Sequence, residues 1–309
     1  MKKPWDLSKA VIFSDIHIHP WEELSRIENL INTRLMDGIN VLKMITNYAI
    51  KKRIKYVFFG GDLYHKRNEV NVVATALIKE ALQEAKEAGL EVWLMSGNHD
   101  QAFNTKYDAL TPFEECANIV RDHRIINVKG FGKVSFHPWN DNRLIWRNDY
   151  INTVKTTEGQ EVVLSVMHFD FQNIEYRGNY VGSGAKTNLL GDHALAVSGH
   201  YHDFISDRRV LYCGSPMHHN WGDAGKDRGF LVVKIESSLS KNFHRNFKGI
   251  ISWRRVINEE TSRFVEIFEE AQVTKSNIQN NFVRIYKNMF TVADYITAVS
   301  YTHLTLPTI

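Results

Sequence analysis

Five apolar runs in this 309-residue chain stop at side chains able to hold a metal ion or move a proton. Ala10–Ser14 runs into Asp15-Ile16-His17-Ile18-His19. Tyr56–Phe59 runs into Gly60-Gly61-Asp62, and Leu90–Met95 leads to Gly97-Asn98-His99-Asp100. Val162–Met167 ends at His168, and Ala194–Ser198 at Gly199-His200-Tyr201-His202. Short apolar runs of this kind read as buried strands. If the five strand ends converge, they bring two carboxylates, one amide and four imidazoles to one place.

Each motif has a chemistry. In an extended chain, residues two apart share a side. Asp15 and His17 can therefore aim at one ion, with His19 as the next candidate; the pair could equally be a capped turn. The Asp62 carboxylate has two oxygens and can bridge two ions, although Gly60-Gly61-Asp62 would also suit a tight turn. Asn98 offers a neutral carbonyl oxygen or an Asx turn. His99 is then free to act on substrate, and Asp100 is expected to hold its ring by a carboxylate–imidazole hydrogen bond. His200 and His202 can hold two neighbouring ions. A set of nitrogen and oxygen donors suits manganese, iron or zinc rather than a thiolate site. Two such ions about 3.5–4 Å apart activate water and stabilise both the attacking and the leaving oxygen of a phosphate ester. With a bridging hydroxide the site keeps a single positive charge, which matches a phosphodiester anion.

The elements that must position these residues follow from periodicity. Leu35, Ile39, Leu42, Ile45 and Ala49 predict a helix over about Thr33–Lys52. Val70, Ala74, Leu77, Ala81 and Ala85 predict another over about Glu69–Ala88, stopped by Gly89. The strand–helix–strand–helix–strand order predicts parallel pairing, with ligands at the carboxyl ends of the strands. Val134–His137, Glu161–Met167, Ala194–Ser198, Val210–Tyr212 and Phe230–Ile235 read as strands with few helices between them. A second, more antiparallel sheet is expected from them. Phe169–His193 is polar, Gly-rich and too long for an idle connection, so a functional loop is expected there. Thr261–Gln272 reads as a short helix and Phe282–Tyr286 as a strand.

Composition sets the bounds. The chain is 43% hydrophobic and 24% charged, and its net charge of +3 does not by itself announce a nucleic-acid binder. Cys116 and Cys213 stand alone, which excludes a disulfide framework or a CxxC metal site and fits a reducing compartment. No run approaches the roughly 18 apolar residues of a membrane span, and the N-terminus lacks a signal-peptide core. A cytoplasmic location is expected, the host cytoplasm if the chain is phage-encoded. The stretch with Lys241, Arg245, Lys248, Arg254 and Arg255 interleaves basic residues with Phe243, Phe247 and Trp253. It is a candidate DNA contact or a solvated basic face. The expected organisation is a catalytic domain over 1–235 and a partial accessory, capping or partner-binding region over 236–298. The tail 299–309 resembles a translated sequencing-adapter read-through, so His303 is not recruited to any site.

Taken in order, Asp15-x-His17, Gly61-Asp62, Gly97-Asn98-His99-Asp100, His168 and Gly199-His200-x-His202 resemble the motifs of the calcineurin-like metallophosphoesterase superfamily. The resemblance implies an α/β fold, a β-sandwich of two mixed sheets flanked by helices in four αββα layers. It implies one metal on Asp15, His17, Asp62 and His202 and a second on Asp62, Asn98, His168 and His200, with His99 contacting the scissile phosphate. His65, three residues after Asp62, resembles the SbcD-like DNA exonuclease subunits and their phage relatives, and it would help position the DNA phosphate. Gly214-Ser215-Pro216 followed by Arg228-Gly229-Phe230 is similar to the same branch. The function implied is a manganese-dependent DNA nuclease of double-strand-break repair and recombination, hydrolysing phosphodiesters by metal-bound hydroxide. The partners implied are DNA, an SbcC-like ABC-type ATPase subunit and a second copy of the chain. The alternative is a calcineurin-like phosphatase or a small-molecule or nucleotide phosphodiesterase.

Overall fold

Alternate residues of strand Asp6–Phe13 face two different layers, as strand geometry requires. Val11 and Phe13 pack with Leu35, Ile39 and Leu42 of helix Thr33–Lys52 and with Ile78 and Leu82 of helix Val72–Glu87. Ala10 and Ile12 pack against a second sheet through Val134, Phe136, Leu164, Val166 and Val197. The far face of that sheet, with Met167, Ala196 and Tyr212, meets Trp146 and Tyr150 of helix Arg143–Thr156. The layers are therefore helix, sheet, sheet, helix, the four-layer sandwich expected. This computed structural model describes residues 3–101, 108–156, 162–181, 184–186, 195–207, 210–236, 250–268, 272, 274–278 and 280–285.

The first sheet runs Ile250–Ile257, Gly229–Glu236, Asp6–Phe13, Ile54–Phe59, Glu91–Met95, Asn118–Val120. The last four are mutually parallel, and the two intervening helices are the crossovers. Strand Ile250–Ile257 pairs antiparallel with Gly229–Glu236, so this sheet continues past Ile235. The second sheet runs Ile205–Asp207, Val210–Tyr212, Leu195–Gly199, Val162–His168, Gly132–His137, Arg124–Val128. Its four central strands are parallel, which corrects the antiparallel expectation. Helix Arg143–Thr156 makes one of the crossovers. It escapes periodicity because Leu144 and Ile145 are exposed while, among its described side chains, Trp146 and Tyr150 carry the buried face.

Two smaller readings also change. The helix expected over Thr261–Gln272 gives way to a strand among the described residues: Phe264–Ile267 runs parallel to Phe282–Ile285. Phe264 and Ile267 are buried, and their spacing of three is also what a helix would bury. The second helix starts at Val72, not Glu69, because the Asn71 side chain accepts from the Ala74 amide at 2.9 Å and caps it. Among the described residues no helix is long and apolar enough to cross a membrane.

Helix Thr33–Lys52 also reaches under the strand ends. The Arg34 guanidinium donates to the His219 carbonyl at 3.0 Å. One turn on, burial pushes the Asp37 carboxyl up to about 6, against the opposing pull of Arg34. The folded pKa lies above the ordinary 3.8, so the fold favours the protonated acid. Stability is therefore lost as the pH rises from about 4 to about 6. Asp37→Asn is expected to melt above the wild type at pH 8 and level with it at pH 4, which thermal unfolding at the two pH values measures.

Candidate metal centre

The register sets the strand ends level. Phe13 pairs with Phe59 and Phe59 with Leu94, while His168 pairs with Gly199 in the facing sheet. Each motif therefore leaves its strand at the same end of the sandwich. The loops then lock together: the Asp15 amide donates to the Gly61 carbonyl at 2.9 Å and the His17 amide to the Asp62 carbonyl at 3.1 Å. Asp15 and His17 converge, but not as an extended pair. Their φ values are 56° and 50°, and Asp62 and His200 follow at 62° and 89°. Left-handed backbone at such residues costs about 1–3 kcal/mol each and persists only where the surroundings enforce it. Gly61, at φ 101°, has the Gly97 Cα 2.7 Å from where its Cβ would stand. A Cβ on Gly97 would collide with the Asp62 carboxylate.

Beside the Oδ2 atom of Asp62, atoms that can offer an electron pair to a metal ion gather. His168 donates from Nδ1 to the Gly60 carbonyl at 2.7 Å, so in the neutral ring Nε2 carries the lone pair. That nitrogen faces the Asn98 Oδ1 at 3.0 Å and the Asp62 Oδ2 at 3.4 Å. His200 places Nε2 3.1 Å from the Asp170 carboxylate and turns Nδ1 to the Asn98 Oδ1, also at 3.1 Å. On the other side of Asp62, the Nε2 atoms of His17 and His202 are 3.0 Å apart, and His17 Nε2 is 3.6 Å from Asp62 Oδ2. The donor atoms of Asp15, His17 and His202, and those of Asp15, Asp62 and His168, lie within 4.8 Å of one another.

The electrostatics point the same way. Burial, and then Asp62, push the Asp15 carboxyl above its ordinary range. Burial opposes ionisation of Asp62 too, but His168 and His17 hold that carboxyl far below the usual range. Burial would lower His168, yet Asp62 and Asp15 raise it to about 9. Burial drives His17 well below its ordinary value, and His202, His99 and His65 add to this. Two buried carboxylates are costly without a compensating cation; a proton on His168 is one such charge, and a divalent ion that displaces it is another. The oxygen and nitrogen donor set fits divalent ions.

His99 and Asp100 divide differently from the expectation. Asp100 does not hold the His99 ring. Its carboxylate accepts from the backbone amides of Asp62 (2.8 Å), Leu63 (2.9 Å), Gly97 (3.0 Å) and Tyr64 (3.1 Å). Burial, and then Asp62, push its pKa up to about 7. The His99 ring is fixed by Nδ1 donating to the His65 carbonyl, and its amide donates to Asp62 Oδ1 at 2.8 Å. The His65 ring is stacked on His99 at 5.6 Å and 22° and packs on Trp21 at 4.1 Å. Burial, His99 and His19 lower His65 to about 4. His19 itself packs on Trp21 and His65.

Two further residues serve the centre. Asp170 sets its carboxylate 3.1 Å from the His200 Nε2, and its signal was the spacing His168-x-Asp170. His219 is buried, and its Nε2 lies 3.0 Å from the Asp15 carbonyl and 2.7 Å from Ser215 Oγ. Its ring packs on His17 and His202. The doublet His218-His219 was its only trace. Lys241, Arg245 and Lys248 lie outside the described residues. Arg254 and Arg255 are adjacent on strand Ile250–Ile257 and turn to opposite faces: Arg254 reaches Tyr48, and Arg255 packs over Phe204 and donates to the Asp227 carbonyl.

The fold and the strand-end cluster define a phosphoesterase. Residues 8–204 match the calcineurin-like phosphoesterase family, and the chain belongs to it. That family's members are hydrolases with a dinuclear metal site. Within it, the chain is 22% identical over 259 residues to exonuclease subunit 1 of Enterobacteria phage T4, over 76% of this chain and 73% of that one. Among solved structures, a dimetal phosphatase from Danio rerio is similar at 11% identity and a TM-score of 0.44, over 75% of this chain and 93% of that one.

Proposed function

We propose that this chain is a two-metal DNA nuclease, an exonuclease subunit of the double-strand-break repair and recombination kind. The observation that supports it most is the gathering of atoms that can ligate a metal ion around Asp62. Asp15, His17 and His202 would hold one ion and Asn98, His168 and His200 the other, with Asp62 between them and manganese the first choice. When bound, such ions supply Lewis-acid activation of water and of the phosphate. The Gly60 carbonyl would keep His168 in the tautomer that aims its lone pair inward, and Asp170 beside His200 would favour the same there. His99, fastened through Nδ1, presents Nε2 to the phosphate and, when that nitrogen also carries a proton, stabilises charge there or passes the proton to the leaving oxygen. Neutral His65 donates a hydrogen bond to a phosphate oxygen and so helps place it. The likeness to the phage T4 exonuclease subunit supports exonuclease chemistry and a partner subunit; DNA as the substrate and an SbcC-like ABC-type ATPase as the partner are the proposal's own choices. A homodimer and an accessory lobe within 236–298 complete the proposal.

Cleavage of linear duplex DNA with manganese tests this reading. Activity is expected to vanish with a chelator and return with manganese. His99→Ala is expected to lower kcat about 10²-fold, within the usual range for general acid catalysis, with bound manganese unchanged. An unaltered kcat in that variant would remove His99 from the reaction. Turnover of an aryl phosphodiester but not of DNA, even with the partner present, would support a small-molecule phosphodiesterase instead.

A further inference from the structure

A separate cavity of about 420 Å³ opens beside the metal centre, its walls including Arg121, His123, Trp139, Asn140, Asp149 and Asn152. Trp139 belongs to both places. Its ring lies 5.1 Å from the His200 ring at 27°, and it borders the cavity. It is held firmly: its amide donates to the Ser96 carbonyl at 3.2 Å, its carbonyl accepts from Gln101 at 2.6 Å, and its indole donates to Asp141 at 2.9 Å. His123 packs edge-on against His137 and Trp146, so that wall is braced by the buried layer beneath it.

The lining chooses among ligands. Arg121 is committed to Asp108 and Glu114, each at 2.8 Å, and Asp149 adds a negative charge. The cavity is therefore not a second phosphate site. It offers an indole for stacking, two side-chain amides and the carboxylates of Asp122 and Asp149. A flat, uncharged heterocycle with donors and acceptors along its edges matches that set. The volume lies in the range of small-molecule pockets.

We propose that this cavity receives one nucleobase of the strand whose phosphate is held at the metal centre, stacked on Trp139 and read along its edge by Asn140, Asn152 and Asp149. This rests on the nuclease reading for the phosphate but assigns a ligand to a different set of residues.

The test compares two probes by calorimetry in the presence of manganese: deoxyadenosine 5′-monophosphate and deoxyribose 5-phosphate, which lacks the base. The wild type is expected to bind the nucleotide at least about tenfold more tightly, about 1.4 kcal/mol. That advantage is expected to fall below about threefold in Trp139→Ala and in Asn152→Leu. The second variant matters because Trp139 touches His200, whereas Asn152 lies on an exposed face of helix Arg143–Thr156. Equal binding of the two probes by the wild type, or an advantage that survives both substitutions, overturns the assignment. Because no turnover is read, a protein that discriminates the probes yet cuts no DNA keeps this cavity's role and overturns the nuclease reading.

Discussion

Asp62→Asn is expected to lower kcat/KM on linear duplex DNA by about 10³-fold, a loss of about 4 kcal/mol in transition-state stabilisation. The argument is local. Asp62 Oδ1 accepts from the His99 amide at 2.8 Å, a bond that the asparagine oxygen can keep. Oδ2 sits 3.6 Å from His17 Nε2 and 3.4 Å from His168 Nε2. An amide nitrogen there turns protons toward two imidazoles and removes the charge shared between the two halves of the site. The shape is preserved, so the variant should fold, and thermal unfolding run beside the kinetics separates lost chemistry from lost structure. Activity within tenfold of the wild type would show that Asp62 is not the hub of the centre.

Asp100→Ala is expected to cost about 3–5 kcal/mol of stability, within the range for removing a buried charged partner. Four backbone amides converge on its carboxylate, and each hydrogen bond to a charged group contributes about 1.5–3 kcal/mol. Burying a carboxyl whose pKa rises to about 7 offsets part of that sum. Activity should fall as well, because the same amides set the loop that carries Asp62. Asp100→Asn should lie between, since it keeps an accepting oxygen but turns an NH₂ group toward N–H donors. Chemical denaturation of the three proteins measures this, and an unchanged midpoint for Asp100→Ala would refute it.

The candidate ligands were legible in the sequence because polar chemistry at the end of an apolar run is rare and five such ends share one chain. The layers were legible for the same reason, since Val11 and Phe13 alternate with Ala10 and Ile12. What was hidden is the backbone that aims the ligands. Nothing in the letters Asp15-Ile16-His17 announces left-handed conformations, which hydrogen bonds from another loop impose. The role of Asp100 was hidden too, because its partners are main-chain amides that no residue type reveals. Asp170 and His219 act through other residues, so spacing pointed to them only faintly. The second sheet was misread where helix Arg143–Thr156 buries Trp146 and Tyr150 but leaves their apolar neighbours Leu144 and Ile145 in solvent.

The most direct test is anomalous diffraction at the manganese edge from crystals of the protein grown with manganese. The proposed site predicts two peaks that share the Asp62 carboxylate, one beside Asp15, His17 and His202 and the other beside Asn98, His168 and His200. A single peak, or two that do not meet at Asp62, would contradict it.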